Sequence, residues 1–597
     1  MTGAFGVIPR VQKFSVDRYI WLLACLIALV IRLIYLERLP LTDSEATLAL
    51  QALRLARGEQ VILSYEPAYL FLTTLINFLF SATNFSARIF PALAGTLLVF
   101  VPWFFKDLIG KRPAIILSFF LALDPGLIAI SREANGTIFA ITFLFLGIGF
   151  LRHGCIRLSG ASLTLALLGG PGVWGGLLGI GIAWGISRLL AAAGVERLDQ
   201  PLLIPNFKQF EWKKFLFGAG MVLIILGTGF LLVPRGINGL AGGLPGYFEG
   251  WSKAGEPVTR VLYAFLTSQL LMLVLMILGW IRGVRNPDVR SAFLTNWFLA
   301  ALILVLLQPG RHMPDGGWAI IPLLTLAAIE LDRWLSAPKS VVSSGLAQAS
   351  LVLVLLIFVL LNFLYLVNIA RIDLSTFLRF SQEEGGVFSA NVDVTLRLVA
   401  VLGGLLLLVF TIFLVGWAWS MKAAGYGVVW GSLTLLVLLT LSNSWSSTGL
   451  IKNPQTILWH SSPYPAEIDL LEKTVRDFSE WNMTLPDFGL VLVNLNAPSV
   501  EWALRDMRGV KSSLALSPDA RPAMFLSAEN SEMTMASYYR GQDFTIRSEP
   551  AWSFLSFDEF IRWIFYREGS QRLQSAVLWV RLDLFPGESK NLSGILP

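Results

Sequence analysis

Long apolar runs, repeated along most of the chain, constrain this sequence more than any other feature. Each spans roughly 17 to 25 residues, the helix length that crosses about 30 Å of hydrocarbon. A soluble core has no use for so many. Charged residues make up only 14% of the chain, against about 25% in ordinary soluble domains. Mean hydropathy is +0.66. The sequence therefore predicts an all-α polytopic protein of the cell (plasma) membrane.

About thirteen spans can be read, near 19–36, 65–81, 89–105, 113–131, 136–151, 161–185, 215–234, 262–281, 291–307, 316–331, 346–366, 394–417 and 426–444. The Gly-rich stretch Gly169 to Gly185 suits close helix packing. With the N-terminus inside, basic loops at Arg88, Arg188 to Lys214, Arg282/Arg285/Arg290, Arg333/Lys339 and Lys422 obey the positive-inside rule. Two basic loops, Lys106–Arg112 and Arg152–Arg157, would face outward against it. The net charge of +6 is explained by such loops, so nucleic acid is not expected as a partner. The two cysteines, Cys25 and Cys155, lie in or beside apolar segments and exclude a disulfide framework. A cleaved signal peptide is not expected, because the first apolar run carries Arg32 and no small-residue site follows it.

From about Ser446 ionisable residues become frequent and the apolar runs shorten. Residues 1–445 are expected to form the membrane domain and 446–597 a small extracytoplasmic α/β domain. In the latter, Ala466–Phe478 has helical periodicity, and 489–494 and 577–582 read as strands.

The first outward loop, 37–64, is long and acidic, with Glu37, Asp43, Glu45 and Glu59, and Glu66 at its far end. Residues 43–57 read as an interfacial helix stopped by Gly58. Its start, Thr42-Asp43-Ser44-Glu45, matches a capping box, with Glu45 reaching back to the Thr42 amide. Asp43 would answer the helix dipole. The same positions suit chemistry, since a carboxylate at a helix start stays ionised and can accept a proton or hold a cation. Both readings stay open here.

The segments Leu39-Pro-Leu-Thr-Asp-Ser-Glu-Ala-Thr-Leu-Ala-Leu-Gln-Ala, Ala56-Arg-Gly58, Tyr65-Glu-Pro-Ala-Tyr69 and Ser86-Ala-Arg88, in that order between spans, resemble the start of a GT-C glycosyltransferase. The likeness is to the protein O-mannosyltransferase and aminoarabinose-transferase type. Pro125-Gly-Leu-Ile-Ala-Ile-Ser131-Arg132 resembles a later part of the same family. The resemblance covers about residues 19–335 and implies a membrane enzyme that takes sugar from a polyprenyl-phosphate donor. It implies that Asp43 or Glu45 is the base and Glu66 a second acid. The family has adjacent acids, whereas Ser44 stands between these two. Either the pair is shifted and Asp43 acts, or Ser44 occupies the aspartate position and the base is lost. Val500-Glu-Trp-Ala-Leu-Arg-Asp-Met-Arg-Gly-Val510, Tyr539-Arg-Gly541, Trp563-Ile-Phe-Tyr-Arg567 and Val577-Leu-Trp-Val-Arg581 resemble the flippase-activity-associated, mannosyltransferase-like family.

The reaction so implied is glycosyl transfer with inversion to an extracytoplasmic glycan or protein acceptor. A carboxylate would deprotonate the acceptor hydroxyl, and cations would receive the lipid phosphate. Arg88, Arg132, Arg311 and His312 are the candidates for that phosphate. Arg88 and Arg132 equally suit headgroup contact at span ends, and the expected topology puts both on the cytoplasmic side. Arg32 could serve either purpose. Asp124, inside an apolar run, is either functional or paired with an arginine. No His-based metal site is expected. A divalent cation held by Asp43, Glu45 and Glu66 is the one cofactor the acids allow. The alternative reading is a degenerate relative that assists lipid-linked glycan translocation or binds glycan. A transporter ranks third, because no paired broken helices are apparent.

Overall fold

The computed structural model describes residues 16–192, 210–285, 288–336, 339–369, 392–450, 458–461, 463–481, 489–507, 509–517, 520–528, 538–551, 559, 563–564, 566–567 and 569–585. Much of the expected basic loop Arg188 to Lys214, and the Lys339 side chain, lie outside them.

The chain opens with α1 (Val16–Leu33), then α2 (Asp43–Ala56) and α3 (Pro67–Leu79). Next come α4 (Asn84–Leu98) and α5 (Val101–Ile109), α6 (Lys111–Leu123) and α7 (Pro125–Ser131), α8 (Thr137–Arg152), α9 (Ile156–Leu167) and α10 (Gly172–Ala192). The middle of the bundle is α11 (Trp212–Val222), α12 (Ile237–Glu249), α13 (Val258–Ser268), α14 (Leu270–Arg285), α15 (Val289–Leu307) and α16 (Gly317–Leu335). It ends with α17 (Lys339–Ile369), α18 (Val392–Ala418) and α19 (Met421–Ser446). Among the described residues six helices are long and apolar enough to cross a membrane, or eight if each of two bent pairs is one span. The protein is an integral membrane protein.

Contacts sort the loops onto two ends of the bundle. Asp17 pairs with Lys111, Arg290 donates to the Leu108 carbonyl and His153 meets the Phe104 carbonyl at 3.2 Å. These residues share one end, rich in Lys and Arg. At the other end, Asn84 donates to the Leu39 carbonyl at 3.4 Å, Arg88 to the same carbonyl at 2.7 Å and Arg132 to that of Ile34 at 2.8 Å. Arg88 and Arg132 therefore lie on the same end as Asp43, which corrects the expected topology.

The expected span at 65–81 does not cross. Its helix, α3, has 13 residues, a length of about 20 Å. Both of its ends sit at the first-loop end of the bundle: the Ala68 amide donates to Leu168, while Asn77 accepts from Ser86. The expected span at 161–185 is in turn two helices, α9 and α10. Gly170 has φ +111° at the junction, a backbone region that favours glycine, and Pro171 follows it. Hydropathy alone misses both changes, since a half-buried interfacial helix is as apolar as a short crossing.

Two apolar helix pairs are sharply bent, against the expectation that no paired broken helices occur. α6 and α7 meet at 57° around Asp124, and α13 and α14 at 82° around Gln269. Pro125 supplies the first break, and Asp124 caps the new helix by accepting from the Leu127 amide at 2.7 Å. The other Asp124 oxygen accepts from Gln269 Nε2 at 2.7 Å, tying the two breaks together. The second break carries no Pro or Gly, so the sequence does not signal it. Arg32 is fully buried nearby and donates to the Leu121 and Ala122 carbonyls.

The C-terminal region forms a mixed five-stranded sheet, β1 (Leu490–Val493), β2 (Lys511–Ser513), β3 (Met524–Ala528), β4 (Tyr539–Pro550) and β5 (Gln571–Arg581), in the order β2-β1-β3-β5-β4. β1 pairs parallel with β2 and β3, and β5 pairs antiparallel with β3 and β4. Helix α20 (Ile468–Trp481) buries Ile468, Leu471 and Val475 into a core with Leu490, Leu526, Phe544 and Leu578. The short helix α21 (Pro498–Ala503) follows β1 and lies on α2.

Candidate active site

The first loop is locked by Glu45. Thr42 caps α2, and the Glu45 carboxylate returns to the Thr42 amide at 3.0 Å, completing the capping box. Arg88 then grips the same carboxylate at two points, Nε to Oε1 and Nη2 to Oε2, each 2.7 Å. The Ala134 amide adds a bond of 2.9 Å. Burial would push this carboxyl up, but the Arg88 guanidinium and its hydrogen bonds outweigh that and hold it below the usual range. Every lone pair in reach is occupied. Glu45 holds structure, and nothing is left for a substrate.

Asp43, two residues earlier at the helix start, is covered. Its Oδ1 accepts from the Ser499 amide at 3.0 Å and the Ser499 hydroxyl at 2.7 Å. Its Oδ2 accepts from Arg547 of β4. Around this contact Arg54 pairs with Glu501, Trp502 Nε1 donates to Asn84 at 2.8 Å and Arg505 Nε to the Ala82 carbonyl at 2.8 Å. The C-terminal region thus seats α21 across the start of α2.

Glu66 is different. It precedes Pro67 at the start of α3, and its carboxylate has one bond among the described residues, from the Gly136 amide to Oε2 at 2.7 Å. Burial pushes it up to about 7; the Gly136 bond opposes this and nearby Asp315 adds to it. The α9–α10 break makes room for it. A Cβ at Gly170 would lie 2.8 Å from Glu66 Cγ, and one at Gly136 would lie 2.3 Å from the Gly169 carbonyl oxygen. The Gly-rich stretch therefore packs helices, as at Gly176 against Trp318, and also admits an acid.

Asp315 stands across the same break, where a Cβ at Gly172 would come 2.6 Å from its Oδ1. Burial pushes its carboxyl up. The sequence reading passes over it, although it names Arg311 and His312 a few residues before. The signal was available: an acid just before the apolar run of α16.

Three of the four phosphate candidates are committed elsewhere. Arg88 binds Glu45 and the carbonyls of Leu36, Leu39 and Pro40. Arg132 donates to the carbonyls of Ile31, Arg32, Ile34, Tyr35 and Thr448. Arg311 caps the end of α15 through the Val305 and Leu306 carbonyls and also holds Glu256. His312 is exposed. Two further groups escaped the sequence reading. Glu133, buried beside Arg132, accepts from the Ser461 amide at 3.1 Å and is pushed up to about 8 by burial and by Glu45. His460, facing the same cluster, is pushed down to about 4 by burial.

The structure does not bring Asp43, Glu45 and Glu66 onto one ion, since each has its own partners. Among the described residues no group of three or more His, Cys, Asp or Glu is placed to hold a metal.

No family model matches the sequence, and no curated protein matches it. Solved structures do. Apo ArnT from Cupriavidus metallidurans superposes with a TM-score of 0.52 at 14% identity, over 93% of this chain and 97% of that one. ArnT bound to undecaprenyl phosphate gives 0.50 at 15% identity, over 94% and 98%. An oligosaccharyltransferase from Archaeoglobus fulgidus gives 0.43 at 9% identity, over 84% and 64%. Over nearly its whole length the chain shares the fold of the ArnT structures.

Proposed function

We propose that this protein is a membrane glycosyltransferase that moves a sugar from a polyprenyl-phosphate donor to an extracytoplasmic acceptor, with Glu66 as the base. The observation that carries the reading is the state of Glu66. It is a carboxylate with one oxygen fixed by a backbone amide and a proton affinity set near 7, the value that suits general-base work at neutral pH. Glu45 is saturated and Asp43 is bound at both oxygens, so of the three candidate acids Glu66 has capacity to spare. The fold likeness to a structure that holds undecaprenyl phosphate supports the donor class. His312, the exposed one of the four phosphate candidates, is left to meet the leaving phosphate. Asp315 raises the basicity of Glu66 and faces the same Gly-rich break.

The topology supports this reading. In this reading 65–81 stays at the first-loop end and 161–185 contributes two helices, α9 and α10. The loops 106–112 and 152–157 then join the Lys- and Arg-rich end, and the earlier conflict with the positive-inside rule disappears. Taking that end as cytoplasmic by the same rule, this reading has Glu66, Asp315 and the C-terminal α/β domain of 446–597 on the extracytoplasmic face.

A second reading keeps one observation in its favour. Asp43 sealed by Ser499 and Arg547 is what a non-enzymatic relative that binds lipid-linked glycan would tolerate. Purified protein given labelled polyprenyl-phosphate hexose separates the two. Release of lipid phosphate that Glu66→Gln removes, with donor binding kept, supports the transferase. Binding without release in the wild type supports the relative.

A further inference from the structure

An apolar cavity lies away from the first loop, toward the Lys- and Arg-rich end of the bundle. It measures about 140 Å³ and is walled by side chains of α4, α5, α6, α8, α10, α15 and α16, among them Leu117, Phe145, Leu294 and Ile321. Its walls are almost wholly apolar; Thr325 and Arg290 are the polar lining residues. Thr325 Oγ1 is already bound to the Ile321 carbonyl at 2.8 Å. Protein interiors tolerate few voids of this size, and apolar ones stay dry and take up apolar guests. Water is therefore not the filler.

The rim says what is. Arg290 is exposed, and its guanidinium makes one described bond, to the Leu108 carbonyl. Around the same end stand Lys106, Lys111, Arg112, Arg282, Arg285 and Arg333, against Asp17, Asp107, Asp288, Glu330 and Asp332. The surplus is basic. An apolar slot inside the membrane with a cation at its mouth matches a molecule with a hydrocarbon tail and an anionic head.

We propose that this cavity holds one acyl chain of an anionic glycerophospholipid from the leaflet at the basic end, with the lipid phosphate on Arg290. The proposal does not depend on the transferase reading, because the site shares no residue with the Glu66 region.

The test uses the full-length protein in detergent, with native mass spectrometry and thermal melts in added phosphatidylglycerol or phosphatidylcholine. The wild type should carry bound phospholipid and prefer phosphatidylglycerol by about fivefold, the worth of one basic side chain near a headgroup. Arg290→Gln should keep lipid and lose that preference. Leu294→Trp or Leu117→Phe, which fill the slot, should lose the bound lipid and the lipid-dependent rise in Tm while staying folded. Using two fillers guards against one that fails to fold. Equal binding of the two lipids by the wild type, a bound polyprenyl chain in place of phospholipid, or lipid retained in both filled variants would overturn the proposal.

Discussion

The Arg88 guanidinium meets the Glu45 carboxylate at two points, 2.7 Å each, with both side chains almost wholly buried. This contact joins the start of α4 to the start of α2. A buried pair is destabilising when halved, because the surviving charge has no water to turn to. Glu45→Gln and Arg88→Met should each lower stability by about 3–5 kcal/mol. The double variant should cost less than the sum of the two, and thermal unfolding of the purified variants measures it. Simple additivity would mean that the pair is not coupled.

Glu66 makes stability depend on pH in a definite direction. Its carboxyl ionises at about 7 in the fold and at an ordinary 4.5 when unfolded. The unfolded chain therefore gives up this proton first, and the stabilisation is full below about 4.5 and lost as pH rises through about 7. Melting curves of the wild type should fall over that window relative to Glu66→Gln, whose amide does not titrate. Parallel curves would remove the shifted acid from the account.

The contact of Asp43 with Ser499 and Arg547 should fasten the C-terminal region to the first loop. Hydrogen bonds to a charged group are worth about 1.5–3 kcal/mol. Arg547→Ala should loosen α21 and β4, read as faster amide exchange over 498–503 and 539–550 with α4 and α8 unchanged. If Asp43 is structural, Asp43→Asn should show the same local loosening and keep most of the transferase rate.

Gly170 is held at φ +111° and touches the space of Glu66. Gly170→Ala adds strain and pushes the Glu66 side chain away. Activity should fall about as far as in Glu66→Gln, whereas Gly181→Ala, in open space on α10, should leave it unchanged. A fully active Gly170→Ala would detach the glycine from the site.

Much of this was legible in the sequence, and the failures have physical reasons. The capping box at Thr42 and Glu45 was readable because it depends on residues three apart. The sequence places its partner Arg88 on the opposite face, because α3 is apolar enough to pass for a crossing. Asp124 was marked as either functional or paired with an arginine. It proved to cap α7 and bind Gln269, a partner 145 residues away that no local pattern reveals. The strands β1 and β5 were visible as short apolar runs. The seal on Asp43 was not, since Ser499 and Arg547 lie more than 450 residues downstream. Glu66 is reached in the sequence through the family resemblance. Its altered proton affinity comes from Gly136 and Asp315, which only the fold brings near.

The rate of lipid-phosphate release across pH 5 to 9, in the wild type, Asp43→Asn and Glu66→Gln, tests the role of Glu66 most directly. The account predicts a rate that climbs with pH to a plateau around an apparent value of about 7. It predicts the same limb in Asp43→Asn, and a flat profile lower by about 10²–10⁴-fold in Glu66→Gln. A wild-type limb that survives in Glu66→Gln and vanishes in Asp43→Asn would give the base to Asp43 and contradict the account.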